Sequence, residues 1–445
     1  MTATATTATA TVGCSARTRE PATTSHATTS TSTAASSTTS SREVLPFIHD
    51  DYPRALAQSK KEQKPLFVDA WAPWCHSCQS LRTYVLTDPS LAPLASEFVW
   101  LSVDTEKDVN ARWVEQHPHD ALPTLWVVDP ATDRPLLKWA GTATAAELRA
   151  LLGNVLANRT DGFARGNQAL AAGDSKTAIA EHRAALTTAS KEQRPRIVEA
   201  LVTELSLAKE HAACADLAAE EAAALPPGTS RATVLVGGLD CARTAKKDEA
   251  RDRLLALAVR DASARDDALL PDDRSAIYQE VVTTKKESGD AAGAKAAATE
   301  WAAYLEDAVK RAASKDARAA LDPWLVAVYL ALGEPARALP HLEASARDFP
   351  QDYNPPARLG RVYLALNRLA EAEQATDRAI ALVYGPRAMR VYELRADIAK
   401  ARGDRAAETR ALEEALAKSE KAVLTAGQKK VRDTLEKRLN ATRTP

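Results

Sequence analysis

Two cysteines three residues apart, Cys75 and Cys78 in FVDAWAPWCHSCQSL, sit at the junction of a short apolar, β-rich run and a helical stretch. A pair so placed is a redox couple, half of a metal site, or two buried thiols. A zinc site built on CxxC needs a second pair of ligands at similar local spacing. Cys214 and Cys241 stand isolated far downstream, and His117 and His119 have no neighbouring cysteine. At a helix start, free backbone N–H groups and the helix dipole stabilise a thiolate, the species that attacks a disulfide. The position therefore suits redox chemistry.

The chain has 445 residues, more than one hydrophobic core usually organises, so two or more domains are expected. Six of its eight Trp (Trp71, Trp74, Trp100, Trp113, Trp126, Trp139) fall in one short segment, which marks a domain different in kind from the rest. Within residues 42–158, DYPRALAQSKKEQ starts like a helix, with acidic residues and Pro53 at its beginning. PLFVDAWA, EFVWLSVDT, LPTLWVVD and PLLKWAG read as strands, CQSLRTYVL and TAAELRALLGNVLAN as helices. That order predicts an α/β layer architecture with a mixed central sheet.

Residues 160–440 change to Ala-rich helices with few aromatics. Tyr329 and Tyr363, Gly333 and Asn367, Ala338 and Ala372 are each 34 residues apart, a spacing that resembles tetratricopeptide repeats. GDSKTAIAEHRAAL and GDRAAETRALEEAL resemble the turn and second helix of that repeat, and GDAAGAKAAATEW is a fainter copy. The first places Ala178 and Ala185 at the small-residue positions; the second puts Glu408 where the first Ala belongs. The resemblance implies an all-α solenoid of about eight helix pairs, each burying its apolar face on its neighbours. Lys191 to Asp290 is helical but only weakly repetitive. Cys214 and Cys241 read first as small buried apolar residues, and second as a pair across an antiparallel helix turn.

Residues 1–41 are almost wholly Thr, Ala and Ser, too poor in apolar surface to offset the entropy of ordering, and are expected to be disordered. TVGCS within them resembles the end of a bacterial lipoprotein signal, making Cys14 a candidate lipidation site, although the preceding residues lack a basic n-region and a Leu-rich h-region. Lys+Arg 58 against Asp+Glu 59 gives a formal net charge of -1, with no basic excess for nucleic acid. No run of 18 apolar residues exists, so no membrane-spanning helix is expected.

DAWAPWCHSC resembles the active-site segment of the thioredoxin fold, with Asp69, Trp71, Ala72, Trp74, Cys75 and Cys78 at matching positions. LPTLWVVD resembles the segment in which that fold sets a cis-proline against the active site, here Leu122 and Pro123, and Gly141 also matches. YVLTDPSLAPLASEFVWLSVDTEKDVN looks most like the C-terminal domain of the bacterial transmembrane thiol-disulfide reductase. The resemblance, over about Phe47 to Asn158, implies Cys75 as exposed nucleophile, Cys78 as resolving thiol and Asp69 as a buried base. Trp74 and His76 would shape the site beside Pro123. No cofactor is implied; the partners would be protein thiol or disulfide clients and a redox recycling partner. Where thioredoxin has Gly-Pro between its cysteines this chain has His76 and Ser77, its helix Pro is Thr83, and the Lys near its buried Asp aligns with Trp100. Reductases, oxidases and isomerases share these residues. The expected function is a thiol-disulfide oxidoreductase of the bacterial cell envelope or, if the N-terminus is neither cleaved nor lipidated, the cytoplasm. The other reading is a repeat scaffold carrying a non-catalytic thioredoxin-like module.

Overall fold

The computed structural model describes residues 44–443 apart from 120, 159 and 421, so Cys14 and the Thr/Ala/Ser-rich segment lie outside the described residues. A five-stranded sheet, β1 (Phe47–His49), β2 (Leu66–Trp71), β3 (Val99–Asp104), β4 (Thr124–Val128) and β5 (Pro135–Ala140), has the order β1-β3-β2-β4-β5. β1 and β2 run parallel to β3, while β4 pairs antiparallel with β2 and β5 with β4, so the sheet is mixed as expected. β2 is central and buried on both faces. Its alternation sends Leu66, Val68 and Ala70 into one core with Val99, Leu101 and Trp113, and Phe67 into another with Leu81, Val85 and Trp100.

Four helices flank the sheet: α1 (Tyr52–Glu62), α2 (His76–Ser80), α3 (Ala111–Gln116) and α4 (Ala145–Leu156). α1 starts with Asp51 accepting from the Arg54 N–H and with Pro53 in its first turn. α4 opens on a capping box between Thr144 and Glu147. α2 continues as one wider, π-helical stretch, Leu81–Val85. β1 and α3 were not anticipated from the sequence: β1 is a three-residue edge strand, and α3 is too short to show a period.

From Gly162 the described chain is helical through Arg443, including all of the weakly repetitive middle. Its turns explain the recurring Gly-Asp. Gly173, Gly289 and Gly403 hold φ of 83°, 84° and 74°, and the following Asp174, Asp290 and Asp404 each accept a backbone N–H three residues on. Gly333 and Asn367, 34 apart, both turn through positive φ at helix ends. Ala178, Ala338 and Ala372 are fully buried, which lets paired helices approach closely. Glu408, at a small-residue position, accepts from Arg438 of the last helix at 2.9 Å, so an ion pair replaces packing there.

Cys214 and Cys241 correct the first reading of them. Helices His211–Glu221 and Thr229–Thr244 bring their Cα atoms to 6.0 Å and the two are disulfide-bonded. The antiparallel hairpin sets two helix faces opposite each other, which isolated Ala-flanked cysteines do not advertise.

Helix Pro271–Glu287 carries Asp273, buried and accepting from Thr229 Oγ1 at 2.7 Å. Burial, reinforced by the nearby Asp272, Glu199 and Glu147 charges, pushes its carboxyl up from 3.8 to about 7. The folded chain therefore keeps a proton that the unfolded chain has lost, and the stabilisation present below pH 3.8 is lost as pH rises through about 7. Asp273→Asn keeps an acceptor for Thr229 without the charge. Urea titrations of both proteins should show the variant gaining stability relative to the parent as pH rises from about 4 to about 7 and levelling off above that; a pH-independent difference would contradict the assignment.

Candidate active site

Cys75 caps α2, and the Cys78 N–H points at its Sγ from 3.1 Å. The two are disulfide-bonded, with Cα atoms 5.2 Å apart. One helical turn thus places both sulfurs together and aims a backbone donor at the first. Ser77 Oγ lies 3.5 Å from Cys75 Sγ and donates to the Leu122 carbonyl at 3.3 Å, joining the couple to the neighbouring loop. The Leu122–Pro123 peptide bond is cis, and Leu122 packs on the couple with Trp71 and Trp74.

Asp69, on β2, is fully buried. Burial raises its carboxyl pKa, and Arg82 opposes the rise by donating to Oδ2 at 2.9 Å. Arg82 also donates to Ser102 Oγ at 2.8 Å and lies 4.0 Å over the Trp71 ring. The basic partner that the Trp100 position lacks is supplied from the π-helical stretch, one wide turn beyond α2. Asp69 Oδ1 accepts from no described group.

The exposed nucleophile expected at position 75 is corrected by burial: Cys75 is only 4% exposed. The helical part of the chain covers it. His76 Nδ1 lies 2.8 Å from Asp272 Oδ1, which accepts from Trp324 Nε1 at 2.7 Å, and the His76 ring sits 4.4 Å from the Trp324 ring. Asn354 Nδ2 donates to the Pro73 carbonyl at 3.1 Å, and Tyr84 donates to the Ala317 carbonyl at 3.2 Å.

Trp74 is held by a further group that the sequence did not single out. Its Nε1 donates at 2.9 Å to Glu106, whose carboxylate also accepts from the Arg387 backbone N–H at 2.6 Å and from Gln428 at 3.3 Å. Burial raises the Glu106 pKa, with these donors opposing it. The Arg387 guanidinium stacks 4.9 Å from the Trp74 ring. Next to it, Gly385 turns with φ of 61°, and a Cβ there would run into the Glu106 backbone carbonyl. Asp272, Trp324, Glu106 and Arg387 lie 32 to 313 residues from Trp74 and have no local signature, so only the assembled fold reveals them.

Residues 48–130 match the family model described as thioredoxin-like, and residues 329–398 the model described as tetratricopeptide repeat. The molecule therefore joins a thioredoxin-like α/β head to a tetratricopeptide-type helical solenoid. Two proteins named thiol:disulfide interchange protein DsbD are similar to the head. That of Pseudoalteromonas atlantica is 28% identical over 82 residues and that of Vibrio vulnificus 30% over 59. The matches span 18% and 13% of this chain and only 14% and 10% of those relatives. A tetratricopeptide repeat protein from Parabacteroides merdae aligns at 12% identity and a TM-score of 0.41, over 64% of this chain and 98% of its own.

Gly385→Ala should loosen the cover. A loss of one to two kcal/mol in the covered state would speed reduction of Cys75–Cys78 by dithiothreitol about 5- to 30-fold. Gly173→Ala, also at positive φ but facing open space, is the control and should leave the rate unchanged. Equal rates in all three proteins would show that the cover does not limit access.

Proposed function

We propose that the protein is a thiol-disulfide oxidoreductase that exchanges disulfides with protein clients through Cys75 and Cys78, and that its helical part binds those clients. The observation that carries this reading is the Cys78 N–H aimed at Cys75 Sγ in a couple flanked by the Leu122–Pro123 loop. A donor at that distance stabilises the thiolate once the disulfide opens. In the reducing direction, the Cys75 thiolate attacks a client disulfide, forms a mixed disulfide with one client sulfur and releases the other as thiolate. Cys78, deprotonated, then attacks Cys75 Sγ; the client leaves as thiol and the Cys75–Cys78 disulfide remains. An external dithiol must reduce it again, and the oxidising direction is the reverse sequence. Asp69, buried and raised in pKa, is the group we assign to take the Cys78 proton.

Cys14 as a lipid anchor and a cell-envelope location belong to the same proposal. The Cys214–Cys241 disulfide, which takes no part in the proposed exchange, supports an oxidising compartment. Among the described residues no helix is long and apolar enough to cross a membrane. The second reading, a scaffold with a silent couple, is favoured by one observation, the burial of Cys75.

The deciding experiment is an equilibrium titration of the couple against glutathione, with tryptophan fluorescence as reporter. A potential near about -270 mV indicates an electron donor to clients, and one towards about -120 mV an oxidant or isomerase. Cys75→Ser should abolish exchange, and a couple that cycles at no poise would leave the scaffold reading. Asp69→Asn should slow exchange about 100-fold, the size of a lost general base, while leaving alkylation of reduced Cys75 unchanged.

A further inference from the structure

Beside the covered couple, the solenoid opens a groove of about 660 Å³, within the size range of sites that enclose ligands. Its walls come from Asp322–Leu332, Asn354–Ala365 and Ala388–Ala401, and the head closes one end with Trp74, the residue before Cys75. Four guanidinium groups line it: Arg358, Arg361, Arg387 and Arg390. Two carboxylates face them, and both are already engaged, Glu393 by Arg390 at 2.7 Å and Asp397 by Arg438 at 2.5 Å. Arg358 reaches only the edge of Asp322, at 3.9 Å. Arg361 is exposed, Arg387 rests on the Trp74 ring, and neither forms an ion pair among the described residues. Val326, Leu364 and Leu394 supply apolar wall between the cations.

Guanidinium groups match carboxylates in a planar, two-pronged geometry, and a concave, partly apolar setting strengthens each pair relative to open water. A flat anionic membrane does not enter such a groove; an extended peptide does.

We propose that this groove is the docking site for an acidic, extended segment of a protein client, held by Arg361 and Arg387 next to the redox couple, with the Arg390–Glu393 ion pair lining the wall beside them. The proposal rests on the client-exchange reading above and names the class of client. A carboxylate of the docked segment takes the Arg387 guanidinium from the Trp74 face. Occupying the groove thereby removes one of the contacts that hold Trp74 over Cys75.

The test uses the full chain and a fluorescein-labelled, cysteine-free dodecapeptide of alternating Glu and Ala, read by anisotropy at low and at physiological salt. The same peptide with Gln for Glu is the neutral comparison. Binding should be saturable, weaken with salt, and be at least tenfold tighter for the Glu peptide, as loss of one charge-assisted pair implies about tenfold or more. It should fall about tenfold or more in Arg361→Glu/Arg390→Glu, whose far-UV circular dichroism and melting curve check that it folds. Equal binding of the two peptides, no binding, or binding retained by the folded double variant overturns the proposal. Displacement of the Glu peptide by a short oligothymidylate at equal concentration also overturns it, in favour of a nucleic-acid groove. Because the peptide has no sulfur, its binding is independent of whether Cys75 and Cys78 turn over. A couple that fails to cycle while the peptide binds defeats the oxidoreductase reading alone.

Discussion

The carboxylate of Glu106 is the point on which the two parts of the molecule meet. It leaves β3 by two residues, lies buried, and takes hydrogen bonds from Trp74 of the head and from Arg387 and Gln428 of the solenoid. A buried carboxylate stripped of donors is costly, so these partners define one another's positions. Remove the solenoid and Glu106 loses two donors; remove Glu106 and the Trp74 indole loses its acceptor. The arrangement of the residue beside the first cysteine is thus set by groups several hundred positions away.

Much of the head was legible because its signals are local. A buried central strand, a capping cysteine, and a loop ending in Leu122–Pro123 lie within short stretches, and each was read with its neighbours. What failed were properties that depend on distant surfaces. Cys75 reads as exposed when only 47–158 is considered, because an N-cap position on an isolated α/β domain faces outward; Asp272, Trp324 and Asn354 close over that face. Arg82 carries no local signal, because its partner Asp69 lies 13 residues back on a strand, a distance set by the sheet and by the π-helical turn.

In the solenoid, the legible part was the turn chemistry. Gly-Asp at a helix junction prescribes a positive φ followed by a side-chain cap, and every copy of it folds that way. The face that each helix turns inward was not legible, since Arg at positions 358, 361, 387 and 390 looks like ordinary solvated charge until successive helices align it in one groove. The Cys214–Cys241 pair was obscure for the same reason: the partner lies across a hairpin whose faces the Ala-rich pattern leaves undefined.

A helical repeat array ordinarily contacts only its neighbours and can begin to fold anywhere along its length. Here the first solenoid helix, Gly162–Ala171, packs directly on β5, while Gln428 at the far end returns to Glu106 across 322 residues. The array is therefore closed upon the head like a clasp. Contacts of such sequence separation form late. On a ribosome the head would emerge before Asp272, Trp324 and Asn354 exist, so the couple would be made open and become covered as those helices arrive, with Gln428 fastening Glu106 last.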